Sequence, residues 1–157
     1  MKLVLPQQRV EQHKDCRAVS TGDLIALSQL MLEAYQGTID DEGETLADAI
    51  SEVQKTFARE YGTFLEDCSF LIERDGQALA CALVTLWHGA PLLAFVMTHP
   101  SAKNQGLGAF LISRSVAALR ARGYNELYLF VAQGNLPAQH LYEKLGFQVM
   151  EEIKPVY

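Results

Sequence analysis

Apolar residues recur at helical spacing in two early stretches. Leu24, Leu27, Leu30, Met31 and Ala34 follow steps of three and four, which places them on one face of a helix. Ser20-Thr21-Gly22-Asp23 precedes the run; Ser20 can cap it and Asp23 can reach back to the cap backbone. Gly37 stops it. Leu46, Ala49, Ile50, Val53 and Phe57 repeat the pattern and predict a second helix over about residues 45–60. The pattern then changes. Residues 69–73 and 78–87 read as strands joined by Asp75-Gly76, a pair suited to the positive φ of a tight hairpin turn. His88-Gly89-Ala90-Pro91 makes the next turn. Residues 92–98 are nearly all apolar, as expected of a strand covered on both faces. A Gly-rich loop follows Pro100 and leads into a helix over residues 107–122, closed by Gly123. Residues 125–131 read as another buried strand, 136–145 as a helix closed by Gly146, and 147–153 as a last strand. Antiparallel hairpins followed by βαβ crossovers predict an α/β (α+β mixed) fold with a mixed sheet.

Composition narrows the classes. The chain has 157 residues, 49% hydrophobic and 20% charged, which suits one globular domain over residues 1–157. Residues 1–11 precede the first patterned element and read as an N-terminal extension: an added edge strand, a dimer arm or a disordered tail. The net charge of −6 argues against a general nucleic-acid binder and gives no pull toward anionic membranes. Three consecutive apolar residues before Pro6 fall short of a signal peptide, and no run reaches membrane-spanning length. Cys16, Cys68 and Cys81 are odd in number and far apart, without zinc spacing. They read as free thiols in a reducing, cytoplasmic setting with no metal site. The charge is uneven: residues 40–75 carry eleven acids against three bases, while residues 100–157 carry six bases and four acids.

The densest chemistry lies in the loop after the second hairpin strand. Lys103-Asn104-Gln105-Gly106-Leu107-Gly108-Ala109 stands between a strand and a helix. The first N–H groups of that helix lack internal partners, and the helix dipole adds a positive field. Gly106 and Gly108 lack Cβ, so an anion can approach the backbone, and Lys103 adds a full charge. The loop suits phosphate or pyrophosphate, yet it is neither a Walker loop nor a dinucleotide fingerprint. Close strand–helix packing is the other use of such glycines. In a second constellation, Asn135 stands at a helix start as a cap or a ligand donor, and Ala138, Leu141, Tyr142 and Leu145 share one inward-facing helical side.

Pro-x-x-Lys-Asn-Gln-Gly-Leu-Gly, followed by Asn-x-x-Ala-x-x-Leu-Tyr-x-x-x-Gly-Phe, resembles the GNAT superfamily of acetyl-CoA-dependent N-acetyltransferases. Lys103 stands where Arg or Gln is usual, and Asn104 where Gly is common. The resemblance implies a sheet with splayed strands at an acetyl-CoA site. It implies that the backbone of Val96, Met97 and Thr98 pairs with the pantetheine arm, and that residues 103–109 cradle the pyrophosphate. It also implies that Asn135 touches the cofactor arm and that Tyr142 protonates the departing thiolate. A core tyrosine with a satisfied hydroxyl is the plainer use of Tyr142.

No general base is visible, because residues 92–98 contain no carboxylate. Glu33, His88, His99 or an ordered-water route are the candidates. The family's first two helices form much of its acceptor side, which here brings in Glu33, Tyr35, Asp40 and Asp41. Six acids and no base between residues 40 and 52 would draw a cationic amine, either a small molecule or a basic peptide end; a solvated acidic surface is the other reading. The expected activity is acetyl transfer to a primary amine by direct attack in a ternary complex. The alternative is a non-catalytic acyl-CoA-binding sensor or interaction module, favoured by Lys103 and the missing strand carboxylate. A homodimer is compatible with the extension.

Overall fold

A computed structural model describes residues 1–5, 15–38, 41–131 and 134–150. Its strands are β1 (Lys2–Val4), β2 (Cys16–Ala18), β3 (Thr63–Phe64), β4 (Phe70–Arg74), β5 (Gln77–Trp87), β6 (Ala90–Thr98) and β7 (Glu126–Tyr128). Its α-helices are α1 (Leu24–Tyr35), α2 (Leu46–Phe57), α3 (Leu107–Ala121) and α4 (Leu136–Lys144). The seven strands form one sheet in the order β1-β7-β6-β5-β4-β2, with β3 paired to β5. Every pairing is antiparallel except β6 with β7. The expected mixed, mostly antiparallel architecture is what forms.

Local chemistry sets the elements. The Ser20 backbone N–H donates to Asp23 Oδ2 at 2.8 Å ahead of α1. Thr45 and Asp48 make the same reciprocal box at the start of α2, and each box occupies N–H groups that the first turn would leave bare. Asp75 and Gly76 take φ of 53° and 78°, the left-handed pair of a two-residue hairpin. His88 and Gly89 do the same at 49° and 82°. The second turn is therefore shorter than the sequence suggested: Ala90 and Pro91 already pair with Trp87 and Leu86.

Side chains alternate across the sheet and feed two cores. On one face Leu27, Leu30 and Met31 of α1 and Val53 of α2 pack on Leu71, Cys81, Leu83 and Met97. On the other, Leu111, Ile112, Val116 and Leu119 of α3 pack on Ile72, Ala80, Ala82 and Leu127. Residues 2–4 are an added edge strand along β7, and Lys2 also bridges to Gln148.

Three expectations change. Residues 94–96 of β6 are only partly buried, so that strand is not covered on both faces along its whole length. β7 ends at Tyr128, and Phe130 is 61% exposed. The last expected strand shrinks to the bridge at Gln148, and residues 151–153 lie outside the described residues. The first two have one cause, the parting of β6 from β7.

Candidate active site

β6 and β7 pair at a single position, Leu92 with Tyr128. Beyond it residues 93–96 and 129–131 part and line a cavity of about 840 Å³. The β5–β6 register steps from Leu83–Phe95 to Val84–Leu93. Ala94 is therefore left over as a bulge, a device that bends a strand and ends regular pairing. Tyr35 and Gln36 of the α1 end, Asp41, Glu44, Asp48 and Glu52 close one side of the cavity; Asn135, Ala138 and Tyr142 close the other.

The loop before α3 leaves the first amides of that helix without side-chain caps. Gly106 is the N-cap of α3 with φ of 72°, and no side chain caps that end. The first bond into the helix comes from the Phe110 N–H to the Gly106 carbonyl. The amides of Leu107, Gly108 and Ala109 precede it and lack intrahelical acceptors. Asn104 also takes a left-handed φ, 65°, a conformation asparagine tolerates better than most residues. That explains how Asn stands where Gly is common. Lys103, Asn104, Gln105 and Gly106 are exposed. A Cβ on Gly108 would meet Val96 and Thr98 at ordinary distances of 3.7 and 3.9 Å, so helix–strand packing does not demand this glycine.

Val96 lines the cavity, whereas the Met97 side chain is turned into the opposite core at 1% exposure. Thr98 lies against the start of α3. Asn135 Oδ1 accepts the Ala138 N–H at 3.4 Å, capping α4, and Asn135 also lines the cavity. The Tyr142 ring packs edge-on against Phe147 with centroids 5.7 Å apart. Its hydroxyl has no hydrogen-bond partner among the described residues. Burial pushes the phenol above its ordinary pKa, so it stays protonated at neutral pH. The inward face expected of α4 is only half covered: none of its residues is buried, and Leu141 is 42% exposed. The helix stands over the open cleft instead of a filled core.

Two base candidates are committed elsewhere. His99 Nδ1 accepts the Ser101 N–H at 3.1 Å, so its hydrogen resides on Nε2, which meets Glu33 Oε2 at 2.5 Å. This pair ties α1 to the turn after β6, and neither residue lines the cleft. His88 sits in the β5–β6 turn against Trp87, ring centroids 4.5 Å apart. Of the acceptor-side candidates, Tyr35 and Asp41 line the cleft, Glu33 does not, and Asp40 lies outside the described residues.

A model of the acetyltransferase (GNAT) family matches residues 26–147, which run from within α1 to Phe147 and include both the loop before α3 and Tyr142. The chain belongs to the GNAT acetyltransferase family. Among similar proteins, the ribosomal protein bS18-alanine N-acetyltransferase of Escherichia coli is 32% identical over 104 residues, covering 66% of this chain and 69% of that one. A mycothiol acetyltransferase of Thermomonospora curvata is 39% identical over 80 residues. That match covers 50% of this chain, which spans only 27% of the relative. The fold is also that of the aminoglycoside N-acetyltransferase AAC(6')-Iy solved with CoA, at a TM-score of 0.68 and 18% identity, covering 90% and 92% of the two chains. Acetyl-CoA is the standard cofactor of GNAT enzymes.

The cleft wall also carries acids that the sequence reading named only as part of the acidic stretch 40–52. Glu44, Asp48 and Glu52 join Asp41 on the cleft. Asp48 and Glu52 are four apart on α2, and that spacing was the available signal. Phe130, brought in by the sheet, gave none. Among the described residues there is no His, Cys, Asp and Glu grouping suited to a metal, and no helix long and apolar enough to cross a membrane.

Proposed function

We propose that this chain moves the acetyl group of acetyl-CoA to a primary amine by direct attack, with both substrates in the cleft together. One observation carries the reading. A single cavity has an opened strand edge and a protonated Tyr142 on one side and four carboxylates on the other. Acetyl-CoA, when bound, supplies the activated acetyl thioester. The bare α3 amides and Lys103 suit its pyrophosphate. The edge at residues 94–96 suits its amide-bearing arm, by the backbone pairing of an added strand. Tyr142 Oη holds a proton at the cleft for a departing thiolate. Asn135, capping α4 through Oδ1, fixes the helix that carries Tyr142.

The acceptor in this reading arrives as an ammonium, which gives up a proton to water before its free amine attacks the thioester. Among the described residues no Lys or Arg lines the cavity, while Asp41, Glu44, Asp48 and Glu52 do. The Gly37 and Gly43 amides hold Asp41 below the ordinary carboxylate range, and Thr45 does so for Asp48, so both remain charged. The named relatives act on amines of different size, a ribosomal protein alanine and aminoglycosides, which supports an amine acceptor in general. The three free cysteines support a reducing, cytoplasmic setting.

Initial rates measured against both substrates test the scheme. Intersecting lines, with no acetylated protein in the mass spectrum, are expected; parallel lines with an acetyl-enzyme would overturn direct attack. Raising salt should raise KM for a cationic amine, because screening weakens attraction between exposed charges. A salt-independent KM would remove the steering role of the acid row.

A further inference from the structure

We infer that the acceptor carries a ring-sized apolar group beside its amine, seated in a side chamber walled by Tyr61, Trp87, Phe95 and Phe130. The inference rests on the acetyl-transfer reading and deepens it. The chamber has a volume of about 240 Å³ and shares Glu52, Leu93, Ala94, Phe95 and Phe130 with the main cleft. Val96, Asn135 and Tyr142 line the main cleft alone, so the chamber lies away from the cofactor side. An apolar cavity of about 150 Å³ accommodates benzene; the chamber therefore holds a six-membered ring and its first methylene.

The chamber is a built feature. Gly62 lies flat on β5, where a Cβ would fall 2.0 Å from the Leu86 carbonyl oxygen. That close approach brings Tyr61 to Glu52, whose Oε1 accepts the Tyr61 hydroxyl at 2.7 Å. The bond pushes the Tyr61 phenol up to about 12. Glu52 Oε2 has no partner among the described residues and is open to an ammonium. Among the described residues Glu52 is the only charged one of the lining. One carboxylate at the mouth of an aromatic chamber matches one cation attached to an apolar body. A linear polyamine finds carboxylates for its second ammonium on the main cleft, at Asp41, Glu44 and Asp48, and leaves the aromatic chamber unfilled. Phe130, a large aromatic left 61% exposed at the junction, is surface that such a ring would cover.

Rates with ethylamine, cyclohexylethylamine, putrescine and a short peptide with an N-terminal Phe test this. Cyclohexylethylamine should exceed ethylamine and putrescine in kcat/KM by roughly 10- to 100-fold, the value of burying a side-chain-sized apolar group. The peptide arm distinguishes a free amine from a chain terminus as the source. Trp87 is the only tryptophan, so its fluorescence reports on the chamber without turnover and should shift with cyclohexylethylamine and not with ethylamine. Phe130→Ala, at an exposed position where folding is not at stake, should shrink the rate ratio. Transfer to all amines with a ratio near one, and a silent Trp87, would overturn the chamber and leave acetyl transfer standing. A Trp87 response without transfer to any amine would support the chamber and overturn the transfer reading.

Discussion

Adding one methyl group at Gly62 provides a sharp quantitative test of how the acceptor side is built. Gly62 has φ of 93°, and its added Cβ would lie 2.0 Å from Leu86 O, 2.7 Å from Leu86 C and 3.2 Å from Trp87 Cα. All three are backbone atoms of a central strand and cannot swing away. Two penalties add. A left-handed backbone costs a residue with a Cβ about 1–2 kcal/mol. Forcing an extra carbon into a packed site costs about 1–3 kcal/mol. Gly62→Ala should therefore lose about 2–5 kcal/mol, or roughly 5–15 °C in Tm for a chain of this size. Gly106 separates the two terms. Its φ is 72°, but nothing lies within 4 Å of the added carbon, so Gly106→Ala should show the backbone penalty alone. Urea unfolding of the two variants measures the difference, and Trp87 fluorescence reports whether residues 60–64 have lifted from β5. Equal losses in the two variants, with unchanged Trp87 emission, would refute the close-approach reasoning.

Tyr142→Phe removes one oxygen from a ring that keeps its contact with Phe147; kcat should fall by about 10²–10⁴-fold while acetyl-CoA affinity, measured by calorimetry, holds. Gly108→Ala adds a methyl at ordinary contact distance inside the first turn of α3, so stability should stay level or rise by up to about 1 kcal/mol. CoA affinity should stay within about threefold; a loss beyond tenfold would put the pyrophosphate against the Gly108 Cα. Arg17 grips Asp23 with two bonds of 2.9 and 2.7 Å, which holds the Asp23 carboxyl below its ordinary pKa. The folded value lies below the unfolded one, so this stabilisation is full above about pH 4 and is lost as pH falls through the folded value. Asp23→Asn should cost about 1–3 kcal/mol at pH 7 and flatten the acid limb of a urea-midpoint profile; an unchanged limb would assign it to other carboxylates.

Local rules read well wherever one short segment decides its own shape. The Asp75-Gly76 hairpin and the Ser20…Asp23 pair stand where their dipeptide and spacing placed them. Features that depend on what lies across the sheet were not legible. The apolar run at residues 92–98 looked fully covered, yet the same composition serves a strand half open to a cleft. Glu33 and His99 looked like free functional groups; only the packing of α1 beside the turn after β6 shows that they meet each other. Glu52 and Tyr61 are nine positions apart, and their bond depends on Gly62 lying flat on Leu86, a contact no local pattern reveals. Lys103 and Asn104 were read as departures from a pattern, and for Asn104 the left-handed φ supplies the reason.

The edge strand β1 has a consequence for the order of assembly. Lys2 exchanges two backbone hydrogen bonds with Gln148, at 2.9 and 2.8 Å, and the Leu129 N–H donates to the Met1 carbonyl at 3.0 Å. Leu129 is part of the cleft wall. During synthesis residues 1–4 leave the ribosome before every partner they pair with, and those partners follow more than 100 residues later. Pairings of such long sequence separation close late, after local hairpins and helices have formed. This wall of the cleft thus closes after the local elements, and a nascent chain that has reached residue 120 can carry most of both cores while its cleft is still unfinished.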